Sequence, residues 1–236
     1  MIDRKQLKSE AFALGLSLND TQLEMFDAYA ELLVETNKRF NLTAIKTPDD
    51  IVTKHFVDSL TVFTSADFPK EGSRVIDIGT GAGFPGVPML IYDNSLEITM
   101  LDSTGKKLDF VRSALERLGL HADVIHARAE ELGRGELRET FDFAVSRAVA
   151  SLNVLCEFCL PFVKQGGKFI ALKGSKADDE LAVSRTAVKT LGGKFIRCKE
   201  LLLADEQTRN LVIIEKSEPT PPKYPRPSAQ ISKKPL

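Results

Sequence analysis

Asp77, Gly79, Gly81 and Gly83 stand at every second position, close behind an apolar run of Val75, Ile76 and Ile78. Glycine reaches positive φ and leaves its backbone bare, so a ligand can lie directly against it. Pro85, Gly86 and Val87 follow. Pro85 suits a first helical turn, where its missing N–H costs nothing. Strand, tight turn and helix start are the elements this order of residues requires. A helix start offers free N–H groups and a positive dipole end. The stretch therefore reads as a cradle for an anionic or carboxylate-bearing ligand. A second acid, Asp102, ends an apolar segment over residues 96–101 and lies 23 residues beyond Gly79. That is close to the roughly 20-residue spacing of a carboxylate that takes a ribose hydroxyl. Asp102 and Ser103 also suit an N-cap of the following helix.

The segments around these residues alternate. Strands are expected over 74–79, 96–102, 122–127, 141–146, 168–173, 194–203 and 210–216. Helices are expected over 85–92, 104–118, 151–162 and 176–191, with a short one inside 128–138. Leu108, Val111, Leu115 and Leu118 share one helical face, and Gly119 stops that helix. Gly166 and Gly167 are expected to stop the helix before the fifth strand. Alternation of this kind means a parallel sheet with helices on both faces. Only residues 204–209 separate the last two strands, too few for a crossover, so they form an antiparallel hairpin.

Residues 1–70 read as a helical extension. Leu7, Phe12, Leu14 and Leu16 give a short apolar pattern closed by Gly15. Asn19 or Asp20 caps the next helix, with Thr21-x-x-Glu24 as a capping box. Leu23, Phe26, Ala30, Leu33 and Val34 form its apolar face. A third helix is expected from Pro48 through His55, Phe56, Leu60 and Phe63. These helices are expected to pack on the sheet as a cap; the sharper alternative is that residues 41–58 border a substrate entrance.

Residues 217–236 are rich in proline and carry Lys223, Arg226, Lys233 and Lys234 against Glu218. That composition predicts no regular element, and either a solvated tail or an arm lying on RNA phosphates.

In a parallel sheet, ligands bind beyond the strand C-termini at the switch in strand order. That rule selects residues 79–84, Asp102, Ser103 and Thr104, Ala129 and Glu130, and Ser146 and Arg147. Glu130 is placed to meet an adenine amino group, or to serve as a helix N-terminal acid. Arg147 follows strand four, where a fixed cation can hold a phosphate or a base carbonyl. Lys173 ends strand five on the same rim, or snorkels from it. Cys156 and Cys159 lie in an apolar helix without a second pair, which favours core packing over a metal or redox role. His55, His121 and His126 form no recognisable ligand set, and no metal is expected.

The chain has 236 residues, 43% of them hydrophobic and 28% charged, with a formal net charge of −1. No global field attracts nucleic acid, so RNA binding would need a local patch. No apolar run reaches the ~20 residues of a membrane span. The first ten residues carry no signal-peptide core, and three cysteines make no disulfide framework, so a cytoplasmic location is expected.

Gly81-Ala82-Gly83-Phe84-Pro85-Gly86 satisfies the G-x-G-x-x-G dinucleotide pattern, which keeps a nicotinamide-dependent oxidoreductase open. The longer run Asp77-x-Gly79-x-Gly81-x-Gly83 resembles the first motif of class I S-adenosylmethionine-dependent methyltransferases. Their Rossmann-like sheet has seven strands with a terminal antiparallel hairpin, as inferred here. Asn41-Leu42-Thr43, His55-Phe56-Val57-Asp58-Ser59, Leu101-Asp102-Ser103, Ser146-Arg147-Ala148 and Ala171-Leu172-Lys173-Gly174 complete a resemblance to the RsmG (GidB) family. So does Lys223-Tyr224-Pro225-Arg226 together with Lys234-Pro235-Leu236.

The resemblance implies methyl transfer from S-adenosylmethionine to guanine N7 in 16S rRNA of the small ribosomal subunit. It places Gly79, Phe84, Ala129, Glu130 and Arg147 at the donor site, with Gly81, Asp102 and Ser103 added from the pattern above. Arg147 and Lys173 are the candidates on the acceptor side. A monomer is expected. A non-catalytic, donor-sensing RNA-binding module is the remaining alternative.

Overall fold

The structure is a computed structural model, and it describes residues 1–68 and 71–236. Its centre is a seven-stranded sheet in the order β3-β2-β1-β4-β5-β7-β6. The strands are β1 (Arg74–Ile78), β2 (Glu97–Asp102), β3 (Asp123–His126), β4 (Phe141–Arg147), β5 (Val163–Lys173), β6 (Gly193–Leu202) and β7 (Thr208–Lys216). The first five pair in parallel, and β7 lies antiparallel between β5 and β6. The order switches between β1 and β4, so a crevice opens beyond their C-terminal ends.

The connecting helices are α5 (Gly86–Tyr92), α6 (Gly105–Leu118), α7 (Ala129–Leu132), α8 (Leu152–Cys159) and α9 (Ala177–Thr190). Gly119 caps α6 in the left-handed conformation, at φ 64°. One expectation fails at β5. The Gly166–Gly167 pair does not stop a helix, because a 3-10 turn (Leu160–Phe162) has already ended it. The pair lies inside β5 instead, where the register against β4 shifts between Phe141 and Phe143. A Cβ on Gly167 would come within 2.5 Å of the Asp142 carbonyl, so only glycine fits this bulge.

The N-terminal helices are α1 (Arg4–Ala13), α2 (Asp20–Asn37), α3 (Pro48–Ile51) and α4 (Asp58–Leu60). Leu7, Phe26, Leu33 and Phe56 share one core with Val75, Val145 and Ile170 of the sheet. Phe26 and Phe56 pack with their rings tilted by 46° and centroids 4.9 Å apart. Such a pair adds about 0.5–1.5 kcal/mol beyond its burial. Phe12, expected on the apolar face of α1, is 74% exposed instead. The capping box of α2 is Asn19 with Gln22, not Thr21 with Glu24. Asn19 Oδ1 accepts the Gln22 N–H at 2.8 Å, and Gln22 Oε1 accepts the Asn19 N–H at 2.9 Å. The helix expected from Pro48 onward is not uniform. It widens to a π-helix over Val52–Val57, between α3 and α4. The boundary expected at residue 70 falls on residues 69–70, outside those described.

The other face of the sheet packs on a second core, formed by Ile76, Leu101, Leu155, Phe162, Phe169 and Ile214 among others. Cys156 and Cys159 belong to it and are fully buried. Burial pushes both thiols up.

The tail departs most from expectation, because it is ordered and contains α10 (Ser228–Lys233). Pro227 precedes that helix, and residues 228–234 contain no proline to break it. Proline-rich backbone still offers carbonyls. Arg138 donates to the Thr220 and Tyr224 carbonyls, and Arg134 donates to that of Pro225. Thr220, Tyr224 and Ile231 are buried. Among the described residues, no helix is long and apolar enough to cross a membrane.

Candidate functional site

A cavity of about 370 Å³ opens at the switch point between β1 and β4. Gly79, Asp102, Ser103, Ala129 and Glu130 line it, as do Lys107, Val149, Phe158 and Ser228. Five of the residues singled out from the sequence are thus gathered in one place. The backbone after β1 makes the turn. Gly79 and Thr80 both donate to the Leu101 carbonyl, at 2.8 and 3.1 Å. Gly79 has φ 73°, and a Cβ there would run into a methyl group of Val149. Gly81 supports the turn from behind. Its N–H donates to Asp102 Oδ2 at 2.9 Å, while Asp102 Oδ1 accepts the Thr104 N–H at 2.8 Å. Asp102 therefore ties the turn after β1 to the loop that leads into α6, whose N-cap is Thr104, and it faces the cavity. Its oxygens keep lone pairs for a hydroxyl donor. Glu130 is 7% exposed at the start of α7.

Asp77 lies beneath the turn and is fully buried. Its Oδ2 accepts the Thr80 hydroxyl at 2.6 Å and the Gly86 N–H at 3.0 Å. Its Oδ1 has no hydrogen-bond partner. Burial pushes its pKa up from 3.8 to about 7, against the pull of Thr80 and Gly86. The folded chain thus holds a proton here that the unfolded chain releases near 3.8. The stability this provides is complete below about 3.8 and lost as pH rises through about 7. Asp77→Asn cannot ionise, so its melting temperature should lack that fall, which is on the order of a few kcal/mol. Superimposable pH profiles for the two proteins would show that Asp77 does not titrate in this range.

Phe84 and Arg147 do not line the cavity. Strand alternation puts Arg147 on the face of Val145, toward the first core and the N-terminal helices. Its guanidinium donates to the Lys54 carbonyl at 2.7 Å, to Asp58 Oδ2 at 2.8 Å and to His55 Nδ1 at 2.9 Å. The π-helix positions Lys54 and His55, Asp58 follows at the start of α4, and widened turns of this kind recur at functional sites. Because Arg147 donates to His55 Nδ1, the His55 proton sits on Nε2, facing the Thr43 hydroxyl at 2.8 Å. Burial and the Arg147 charge lower the His55 pKa to about 3, so this ring is neutral at neutral pH. Phe84 stacks on His55 at 4.2 Å, and the Arg147 guanidinium lies 5.1 Å from the Phe84 centroid. Asp58 also meets Arg209 at 3.2 Å, and Arg209 meets Asp205 at 3.0 Å. Two arginines and two aspartates thus tie the N-terminal helices to the ends of β4 and β7.

Lys173 points to the Ala150 carbonyl at 2.8 Å and to Glu180 at 2.7 Å, with its side chain 8% exposed. It braces the loop after β4. Ala148 in that loop has φ 56°, unusual for a residue with a Cβ, and it presents Val149 to the cradle.

A family model described as rRNA small subunit methyltransferase G matches residues 22–212. "Ribosomal RNA small subunit methyltransferase G" of Alkaliphilus metalliredigens is 45% identical over 98% of this chain and 97% of that protein. The protein of the same name in Lactobacillus acidophilus is 42% identical over 98% and 100%. Among solved structures, the [4+2]-cyclase SpnF aligns with a TM-score of 0.58 at 15% identity, over 84% of this chain and 96% of that one. A 16S rRNA (adenine(1408)-N(1))-methyltransferase from Catenulisporales acidiphilia aligns at 0.53 and 13%, over 63% and 87%. At such identities these structures share the fold alone, which is the class I methyltransferase fold. The sequence matches carry more: they run over nearly the whole of each chain, and the chain belongs to the rRNA small subunit methyltransferase G (GidB) family.

Proposed function

We propose that this chain transfers a methyl group from S-adenosylmethionine to guanine N7 in 16S rRNA of the small ribosomal subunit. The observation that carries the reading is the cavity between β1 and β4, where bare backbone at Gly79 meets the carboxylates of Asp102 and Glu130. Those residues fit the donor. Asp102 would accept from ribose hydroxyls, Glu130 would face the adenine amino group, and Gly79 would let the amino-acid part lie on the backbone. When bound, the donor supplies an electrophilic methyl on a sulfonium. The protein's share is to hold the acceptor in line at about 3–3.5 Å and to exclude water. Guanine N7 has a free lone pair near neutrality, so no general base is required. Arg147, held by Asp58 and neighbouring His55, marks the side from which the guanine arrives. A ribosomal substrate agrees with a cytoplasmic reaction, and we read the acting form as a monomer.

The test is transfer of labelled methyl from S-adenosylmethionine to small subunits lacking the modification, followed by nucleoside analysis. Label is expected in 7-methylguanosine. Tight donor binding without transfer would favour the donor-sensing module instead. Preference for a nicotinamide dinucleotide would return the oxidoreductase.

A further inference from the structure

Phe40 is 48% exposed, and Lys106 Nζ lies 5.5 Å from its ring centroid. Lys106 precedes Lys107, which lines the cavity. The ring therefore stands against the first turn of α6, the turn that also sends Lys107 into the cavity. The loop that holds it has little freedom. Asn37 Oδ1 accepts the Leu42 and Thr43 N–H groups at 2.8 and 3.1 Å, and Asn37 Nδ2 donates to the Thr43 carbonyl at 2.9 Å. The Thr43 hydroxyl meets His55, which in turn meets Arg147. An apolar ring is thus held out in water by a clamp tied to the end of β4.

Its surroundings are positive. Residues 36–48 carry Lys38, Arg39 and Lys46 and no acid, and residues 103–108 carry Lys106 and Lys107 and no acid. Arg39 reaches Glu35 at 3.5 Å, an exposed pair. In a chain of net charge −1, this concentration is local. Phe12 and Phe195 are also exposed, but among the described residues neither has a cation over its ring. Single exposed hydrophobes need no explanation. An exposed ring with a lysine over it, set among further lysines, has the two parts of a single-strand platform: a stacking face and phosphate partners.

We propose that Phe40 stacks an unpaired base of the substrate RNA next to the target guanine, while Lys38, Lys46 and Lys106 hold the flanking phosphates. The inference rests on the methyl-transfer reading above and adds the form in which the RNA arrives. Guanine N7 of an RNA duplex lies in a deep, narrow major groove that side chains do not read. The guanine must therefore come from a single-stranded or opened segment, and such a segment exposes a neighbouring base face.

The test compares wild type with Phe40→Ala, Phe40→Leu and Phe40→Trp in three measurements. These are donor affinity by calorimetry, KM and kcat on small subunits, and anisotropy of a short, unstructured, fluorescein-labelled RNA. Phe40→Ala and Phe40→Leu should each raise KM and weaken RNA binding by about tenfold. Phe40→Trp should retain both, and donor affinity should not move in any variant. Lys38→Ala and Lys46→Ala should each reduce the salt slope of RNA binding by roughly 0.7. An unchanged KM in Phe40→Ala would overturn the proposal. So would full RNA affinity in Phe40→Leu, since leucine cannot stack. A raised KM with unchanged affinity for the RNA would overturn it too, by assigning the contact to a ribosomal protein. A wild-type enzyme that methylates nothing would instead defeat the reading of the cavity, and the anisotropy measurement would still decide the role of Phe40.

Discussion

Gly79→Arg should cripple S-adenosylmethionine binding. Two effects act together. The position has φ 73°, which costs a residue with a Cβ roughly 1–2 kcal/mol. Its Cβ also points at Val149 on the cavity wall, so the side chain must displace that wall or fill the cavity. Calorimetry should show a loss of affinity of about a hundredfold or more, equivalent to roughly 3 kcal/mol, and methyl transfer should fall with it. Gly15→Arg is the matched control. Gly15 has φ 79° and nothing within 4 Å of its would-be Cβ, so that variant bears the backbone strain without touching the cavity. It should lose stability and keep donor affinity. Retained affinity in Gly79→Arg would remove the donor from this cavity.

Arg226→Ala should lower the melting temperature by about 6–20 °C. Glu157 is completely buried in α8. Arg226 answers it with its backbone N–H at 2.7 Å, its Nε at 2.9 Å and a terminal nitrogen at 2.6 Å. Removing the guanidinium strands a buried carboxylate, which costs about 3–5 kcal/mol. In a chain of this size each kcal/mol shifts the transition by about 2–4 °C. Replacing both residues, as Glu157→Met with Arg226→Met, should recover most of the loss, because no charge is then left without a partner. A drop of a degree or less in Arg226→Ala would mean that the tail does not dock in solution.

The cradle was legible because its signals are local. Alternating glycines after an apolar run and a following helix start lie within a few residues of one another, and the acid Asp102 follows at a fixed spacing of one strand–helix–strand unit. The sequence lets Asp102 either take a ribose hydroxyl or cap the next helix; the helix is capped at Thr104 without a side-chain bond, and Asp102 lines the cavity instead. The placement of Phe84 was not legible. It adjoins the cradle in sequence but packs with His55 and Tyr29, under helices far away in the chain. Strand alternation could have put Arg147 on the face of Val145, but only the fold shows that His55 and Asp58 await it there. Composition gives no sign of a π-helix over Val52–Val57. Proline content alone misleads about the tail, because the arginines and the carboxylate that dock it lie elsewhere in the chain. One signal was available. Glu157 is the lone acid in the apolar stretch of residues 152–163, and a buried acid requires a cation from elsewhere.

The docked tail also sets an order in time. Ser228 forms part of the cavity wall, yet it leaves the ribosome after every strand of the sheet has been made. A nascent chain that has just completed β7 holds Gly79, Asp102 and Glu130, but Glu157 still lacks Arg226. Arg134 and Arg138 likewise still lack the tail carbonyls they bind. The sheet can assemble as the chain emerges, while the finished cavity must wait for the last segment described here. On the reading of this cavity as the donor site, its wall is completed only once the segment through Ser228 has folded onto the finished sheet.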